Sequence, residues 1–159
     1  MRKKILGSNR AQLRDGESGQ GWLNLDQIAT IEVTSEDPSF PIESALIPDS
    51  GPGWRASQKG EQRIRIIFDE PISLHRIQLR FNETESERTQ EFTVRWSSAA
   101  GGPTKEILRQ QWNFSPNGST TEIEDYAIDV NAVSVLELAI QPDLGRHEAV
   151  ASLATFRLR

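Results

Sequence analysis

The chain has no cysteine among its 159 residues. Disulfides, thiolate zinc sites and cysteine nucleophiles are therefore excluded. The composition fits a reducing compartment, and the expected location is cytoplasmic. Histidine is nearly as scarce, with only His75 and His147. No Gly-x-Ser-x-Gly elbow, His-Glu-x-x-His helix or Gly-Lys-Ser/Thr phosphate loop is present. Neighbouring carboxylates such as Asp69-Glu70 and Glu124-Asp125 would point to opposite faces of a strand and do not converge locally. The expectation is a protein that is not an enzyme. No apolar run reaches the roughly 18 residues of a spanning helix, so no membrane segment is expected. The amino terminus starts like a basic signal-peptide head, but Ser8, Asn9, Arg10 and Gln12 interrupt the apolar core that should follow.

What the chain does have is period-two alternation. In Arg63–Phe68, Ile64, Ile66 and Phe68 share one face and Arg63 and Arg65 the other. Asp69-Glu70-Pro71 breaks the run, and a second strand resumes over Leu74–Phe81 with Ile77, Leu79 and Phe81 in phase. His75 falls on the Ile77 face and reads as a hydrogen-bonded core histidine. The same pattern recurs over 29–34, 91–97, 105–114, 122–130, 135–140 and 152–158. Between these segments lie turn signals, among them Ser97 to Pro103 and Ser115 to Gly118. Pro41 to Ile47 suits a short helical turn, with Pro41 first and Glu43 in the first turn. The segment from Pro48 to Gly60 reads as a loop. About eight strands and at most one short helix predict an all-β, antiparallel β-sandwich or jelly roll.

Charge is unevenly placed. The formal net charge is −5, yet residues 1–14 carry Arg2, Lys3, Lys4, Arg10 and Arg14 and no acid. The remaining residues therefore hold a net charge of −10, which argues against a broad phosphate-binding surface. The basic head has two readings, a nucleic-acid arm or a solvated, frayed terminus. Trp22 in this segment suggests a docking point on the domain.

One arrangement resembles a known family. A strand ends in Ser35-Glu36-Asp37, and a short turn follows with Ala45-Leu46. Next come the Pro48-Asp49-Ser50-Gly51 loop, Trp54 and the paired strands, and the chain closes on Ala151 to Leu158. Over residues 28–159 this is similar to the discoidin, or coagulation factor 5/8 type C, group of galactose-binding-like domains. Residues 1–27 are left as a loosely structured N-terminal segment. Trp54-Arg55-Ala56, Gly60-Glu61 and Ser97-Ser98-Ala99 add a shorter resemblance to the amino-terminal domains of animal single-strand-break repair scaffolds.

The first resemblance implies a non-catalytic module with a carbohydrate ligand. The second implies a scaffold domain for protein or DNA, with any nucleic-acid contact made through the basic head. The first group often holds a structural calcium between an Asp-containing loop and an acidic residue in the last strand. Asp49 suits the loop, but Thr155 stands where that acid is expected, so neither metal nor cofactor is expected. Loops at one end of a sandwich usually carry its binding groups. The expected ligand-binding residues are Trp54, Arg55, Arg146 and His147. Arginine offers a fork of donors, and histidine donates or accepts. Trp54 keeps two readings, a stacking platform or a plug of the sandwich end.

Overall fold

The computed structural model describes residues 2–6, 10–12, 21–145 and 148–159. Arg146 and His147 lie outside the described residues. The chain is 61% strand and 6% helix, which meets the all-β expectation. The strands are β1 (Arg2–Ile5), β2 (Arg10–Gln12), β3 (Ala29–Val33), β4 (Trp54–Lys59) and β5 (Gln62–Asn82), then β6 (Arg88–Ser97), β7 (Lys105–Phe114), β8 (Thr121–Gln141), β9 (Val150–Leu153) and β10 (Thr155–Leu158). Two single-turn helices, α1 (Leu25–Ile28) and α2 (Glu43–Leu46), interrupt them. The main sheet runs β2-β1-β3-β5-β8-β6-β7, with β10 on the far part of β5; β4 and β9 form a separate pair.

The first correction to the sequence reading concerns the central strands. Asp69-Glu70-Pro71 does not end a strand: β5 runs unbroken for 21 residues, and β8 likewise joins the two segments expected over 122–140. The two long strands pair along both arms. Between Ile67 and Ile72 five steps of β5 face only two of β8, Val135 to Val133. Pro71, which has no N–H to give to a ladder, sits within this irregular stretch, where its absence costs no bond. Ala132 takes φ +57° on the β8 side of the bend. The near arm of β5, with β3 and β6, forms one layer, and the far arm with β10 faces it. Phe81 of the far arm meets Phe92 of β6 with ring centroids 5.3 Å apart. The core between the layers holds Ile31, Ile64, Ile66, Ile77, Leu79 and Phe156, all at most 1% exposed.

The irregular pairing also displaces His75. Leu74 and Ile77 are both buried, three residues apart, and His75 is exposed rather than in the core. Its amide and that of Arg76 both donate to the Arg159 carbonyl, at 2.6 and 2.7 Å. Two residues facing one is the pattern of a β-bulge, which shifts side-chain parity by one.

Two segments read as irregular are strands. In β4, Trp54 and Ala56 face inward and Arg55 and Ser57 outward, and the strand pairs with β9. Gly53 makes this approach possible: at φ +122°, an added Cβ would lie 2.6 Å from the Leu153 carbonyl oxygen. The closing segment is split at Ala154, with β9 on β4 and β10 on β5. At the amino end, β1 pairs parallel to β3 and antiparallel to β2. Trp22 lies between the Arg76 and Arg159 guanidiniums, at 5.4 and 5.3 Å, and the Leu23 amide donates to the Leu158 carbonyl at 2.7 Å. No helix among the described residues is long and apolar enough to cross a membrane.

Charge pairing ties Arg2, Lys3 and Lys4 to the sandwich. Lys3 is 6% exposed and its Nζ donates to Glu43 at 2.5 Å and Glu36 at 3.2 Å. Glu36 also accepts the Ile42 amide at 2.6 Å, beside the start of α2. Arg2 pairs with Asp69 and Lys4 lies 4.0 Å from Glu32. Replacing Lys3 by Met leaves two adjacent carboxylates without their shared cation. The expected loss is about 3–5 kcal/mol in denaturant unfolding; a variant within about 0.5 kcal/mol of the parent would show that this cluster does not anchor β1.

Candidate functional site

Because β5 and β8 fold back at their bends, the tips of both layers meet at one end. Pro142, just past the end of β8 in one layer, accepts from Arg88 Nη1 at 2.8 Å, while Glu83, just past β5 in the other, accepts from Arg88 Nε at 2.8 Å. Two adjoining cavities open here. One, of about 730 Å³, lies between Thr89, Asn113, Phe114 and Asp143. The other, of about 640 Å³, lies between Asp37, Arg55, Asn82, Glu83, Glu148 and Ser152. Ser86 and Arg88 line both.

Arg88 is the central group. It starts β6, is only 4% exposed, and lies 4.7 Å over the Phe114 ring. Its Nη1 also donates to Gln90 Oε1 at 3.0 Å, and its Nη2 is buried with no partner among the described residues. Burial pushes the Glu83 carboxyl up, but the Arg88 hydrogen bond and the Glu85 and Ser86 amides outweigh it and hold the group below its ordinary range. Arg88 is not among the binding residues expected from the sequence. Its importance comes from burial, which no local pattern reveals.

The expected site residues fare differently. Arg55 lines the 640 Å³ cavity together with Glu148, and its exposed guanidinium lies 4.8 Å over the Phe40 ring. Trp54 is 1% exposed and its Nε1 donates to the Ser35 carbonyl at 3.1 Å. It is the plug of the sandwich end, not a platform, because β4 turns odd residues outward and even ones inward.

Behind the groove runs a polar chain that sequence reasoning missed. Gln90 Nε2 donates to Glu122 Oε1 at 3.1 Å. Glu122 and Glu124, two residues apart on β8, both point into the sandwich, at 0% and 8% exposure. Tyr126 donates to Glu124. The signal was readable: these acids share parity with Tyr126 and Ile128. Burial, reinforced by the neighbouring Glu124, pushes the Glu122 carboxyl up to about 8. Burial and Glu124 push the Tyr126 hydroxyl up to about 12. Burial therefore favours the neutral form of Glu122.

The residues present do not fit the calcium that the resemblance implies. Arg157, within β10, has its guanidinium near Asp49, and its Nη1 donates to the Ala45 carbonyl at 2.6 Å and to the Phe156 carbonyl at 3.0 Å. Burial lowers its pKa, and the charge of Asp49 opposes that shift. A guanidinium thus supplies positive charge to the loop that a cation would otherwise bridge.

No protein-family model matches the sequence, and neither does any curated protein. Solved structures do match. A family 32 carbohydrate-binding module of C. perfringens NanJ, in complex with galactose, is 14% identical over 82% of this chain and 92% of its own, with a TM-score of 0.58. The family 32 module of AlyQ, in complex with 4,5-unsaturated mannuronic acid, is 14% identical over 84% of this chain and 95% of its own, at 0.60. Reduced XRCC1, bound to the catalytic domain of DNA polymerase beta, is 15% identical over 80% of this chain and 91% of its own, at 0.56. The fold is that of the galactose-binding-like β-sandwich, and both resemblances noted in the sequence have structural counterparts.

Two measurements check the site. Glu122 has its pKa raised from the ordinary 4.5 to about 8, so the folded state binds more protons than the unfolded chain between those values. Its contribution is full below about pH 4.5 and is lost as pH rises to about 8, at up to about 1.4 kcal/mol per pH unit. Glu122→Gln, which stays neutral, should flatten that slope; an unchanged slope would remove Glu122 as its source. Separately, calcium should leave the melting temperature unchanged, and Arg157→Met should cost about 1.5–3 kcal/mol. A calcium-dependent rise reversed by chelator would contradict the assignment of Arg157.

Proposed function

We propose that this protein is a non-catalytic carbohydrate-binding module, and that it holds its ligand in the groove between Arg55 and Arg88. The observation that carries this reading is the double cavity at the loop end, with a buried guanidinium at its base and an exposed one on its wall. The galactose and uronate complexes of the neighbours support the ligand class. Recognition by this groove would rest on hydrogen bonds rather than ring stacking. Trp54 is inside the core, and the faces of Phe40 and Phe114 are covered by guanidiniums. Guanidiniums and carboxylates form a donor and acceptor set matched to vicinal hydroxyls. The absence of a catalytic step is part of the proposal, supported by the carbohydrate-binding modules among the neighbours.

The second reading, a protein-docking scaffold domain, is favoured by the likeness to XRCC1 with its polymerase partner. A nucleic-acid arm has less support, because Arg2, Lys3 and Lys4 each face a carboxylate.

A glycan array followed by titration tests the first reading. Arg55→Ala removes an exposed group that makes no salt bridge among the described residues, so the fold should persist. Affinity for an array-identified glycan should fall about tenfold, as expected for a lost charged hydrogen bond. Array-wide silence, with capture of a protein partner instead, would transfer the assignment to the scaffold reading.

A further inference from the structure

Beneath the groove lies a buried polar cluster with unmatched atoms of opposite kind. Arg88 and Gln90 stand two residues apart on β6, and Glu122 and Glu124 two residues apart on β8. Their exposures are 4%, 0%, 0% and 8%. Gln90 is bonded on both sides. Its Oε1 accepts from Arg88 Nη1 at 3.0 Å, and its Nε2 donates to Glu122 Oε1 at 3.1 Å. Arg88 Nη2 and Glu122 Oε2 are both buried without a partner among the described residues. One glutamine therefore separates an unmatched donor from an unmatched acceptor.

The groups around Glu122 decide which charge it can carry. On its own strand it lies within hydrogen-bond reach of Glu124, and Tyr126 donates to Glu124 from the other side. The neighbouring β5 sets Leu79 and Phe81 beside the two glutamates, and β7 contributes Gln110, bonded to Tyr126. From β6 come Gln90 and Arg88, and Arg88 is the cation whose charge acts on Glu122. Two carboxyl groups in contact in an interior resist joint ionisation, so Glu122 is held neutral while Arg88 is engaged by Glu83. Once ionised, Glu122 is a fully buried charge, which costs far more without a partner than an exposed one. Glu83 is only half-buried at the groove wall, where water can replace its partner. The contest for Arg88 therefore turns on one proton.

We infer that the Glu122 proton governs Arg88: while it is bound, Arg88 holds Glu83 and the β5–β6 turn at the groove wall, and when it leaves for solvent, Arg88 closes on Glu122 and releases Glu83. Burial and Glu124 push this carboxyl up to about 8, so the release falls in weakly alkaline solution. The freed turn carries Glu85 and Ser86, whose amides donate to Glu83 at 3.1 and 3.4 Å, and Ser86 lines both cavities. The groove thus has a wall set by pH whatever ligand it takes, and the inference does not rest on the carbohydrate-binding reading.

The test is carbon-detected NMR of the full chain without ligand, from about pH 6.5 to about pH 9.5. It follows the carboxyl carbons of Glu122 and Glu83 and the guanidinium carbon of Arg88. All three should move together with one midpoint near 8. Glu83 has no proton of its own to lose in this range, because its carboxyl is held below its ordinary value. In Glu122→Gln the Glu83 and Arg88 carbons should stay flat, and any histidine titration is common to both proteins. Glu124→Gln removes the like-charged neighbour, so the shared midpoint should fall to lower pH. That variant keeps the test decisive should Glu122→Gln not fold. Glu83 and Arg88 carbons that stay still while Glu122 titrates overturn the inference. So does a step near 8 that persists in Glu122→Gln, a midpoint unmoved in Glu124→Gln, or a Glu122 carboxyl that does not titrate in this range.

Discussion

The pairing of β5 with β8 is the constraint on which the rest of the structure depends. Each strand has 21 residues, and they stay paired from Gln62↔Ile140 to Asn82↔Thr121 while changing layer at the bend. A strand that serves two layers must break its register somewhere, and the irregular steps between Ile67 and Arg76 absorb that break. Everything downstream follows from where the bend sits. It returns Asn82 and Thr121 to the end where Gln62 and Ile140 began. The β3–α2 loop, the β5–β6 turn and the β8–β9 connection therefore surround one groove. It also moves the parity of β5, exposing His75 and keeping Leu74 and Ile77 in the core.

The groove is continuous with the interior through a single polar chain. Glu83 holds Arg88, Arg88 holds Gln90, Gln90 holds Glu122, and Glu122 sits beside Glu124 with Tyr126. Polar groups in a low-dielectric interior are costly when unpaired and stiff when paired. Within this chain, burial raises the pKa of the Glu122 carboxyl and Arg88 stacks on Phe114, while Arg88 Nη2 and Glu122 Oε2 are left without partners among the described residues. Arg88 is fixed in one orientation beneath the groove by Glu83, Gln90 and the Pro142 carbonyl. Arg55, by contrast, is exposed and lies over the Phe40 ring.

Elsewhere, arginine and lysine do structural work. Lys3 joins β1 to Glu36 and to the first turn of α2, so the amino end is tied to the same region that positions the β3–α2 loop. Arg157 bonds the carbonyl at the end of α2 from the last strand. One short helix is thus held at both ends by cations drawn from opposite ends of the sequence. That explains how a four-residue helix, far too short to be stable alone, persists at this position.

The all-β class, the strand positions of β3, β6 and β7, and the turn at Pro41 were legible from period-two alternation and turn residues, because these are local properties of the chain. The clustering of binding groups in loops was legible only as a tendency. Hidden from the sequence were the continuity of β5 through Pro71, the strand at Trp54–Lys59 and the exposure of His75. Each depends on which neighbour supplies hydrogen bonds, and the neighbours are about 40 to 100 residues away in sequence: β8 for β5, β9 for β4. The burial of Lys3 and Arg88 was hidden for a related reason. A charged side chain is buried only when opposite charges and acceptors meet it, and Glu36, Glu43, Glu83 and Pro142 come to those places through the fold. Composition and alternation by themselves determined the all-β class and its sandwich of alternating strands. Tertiary structure decided which of its many arginines and glutamates are buried and paired, because desolvation and pairing are set by distance in space and not by distance along the chain.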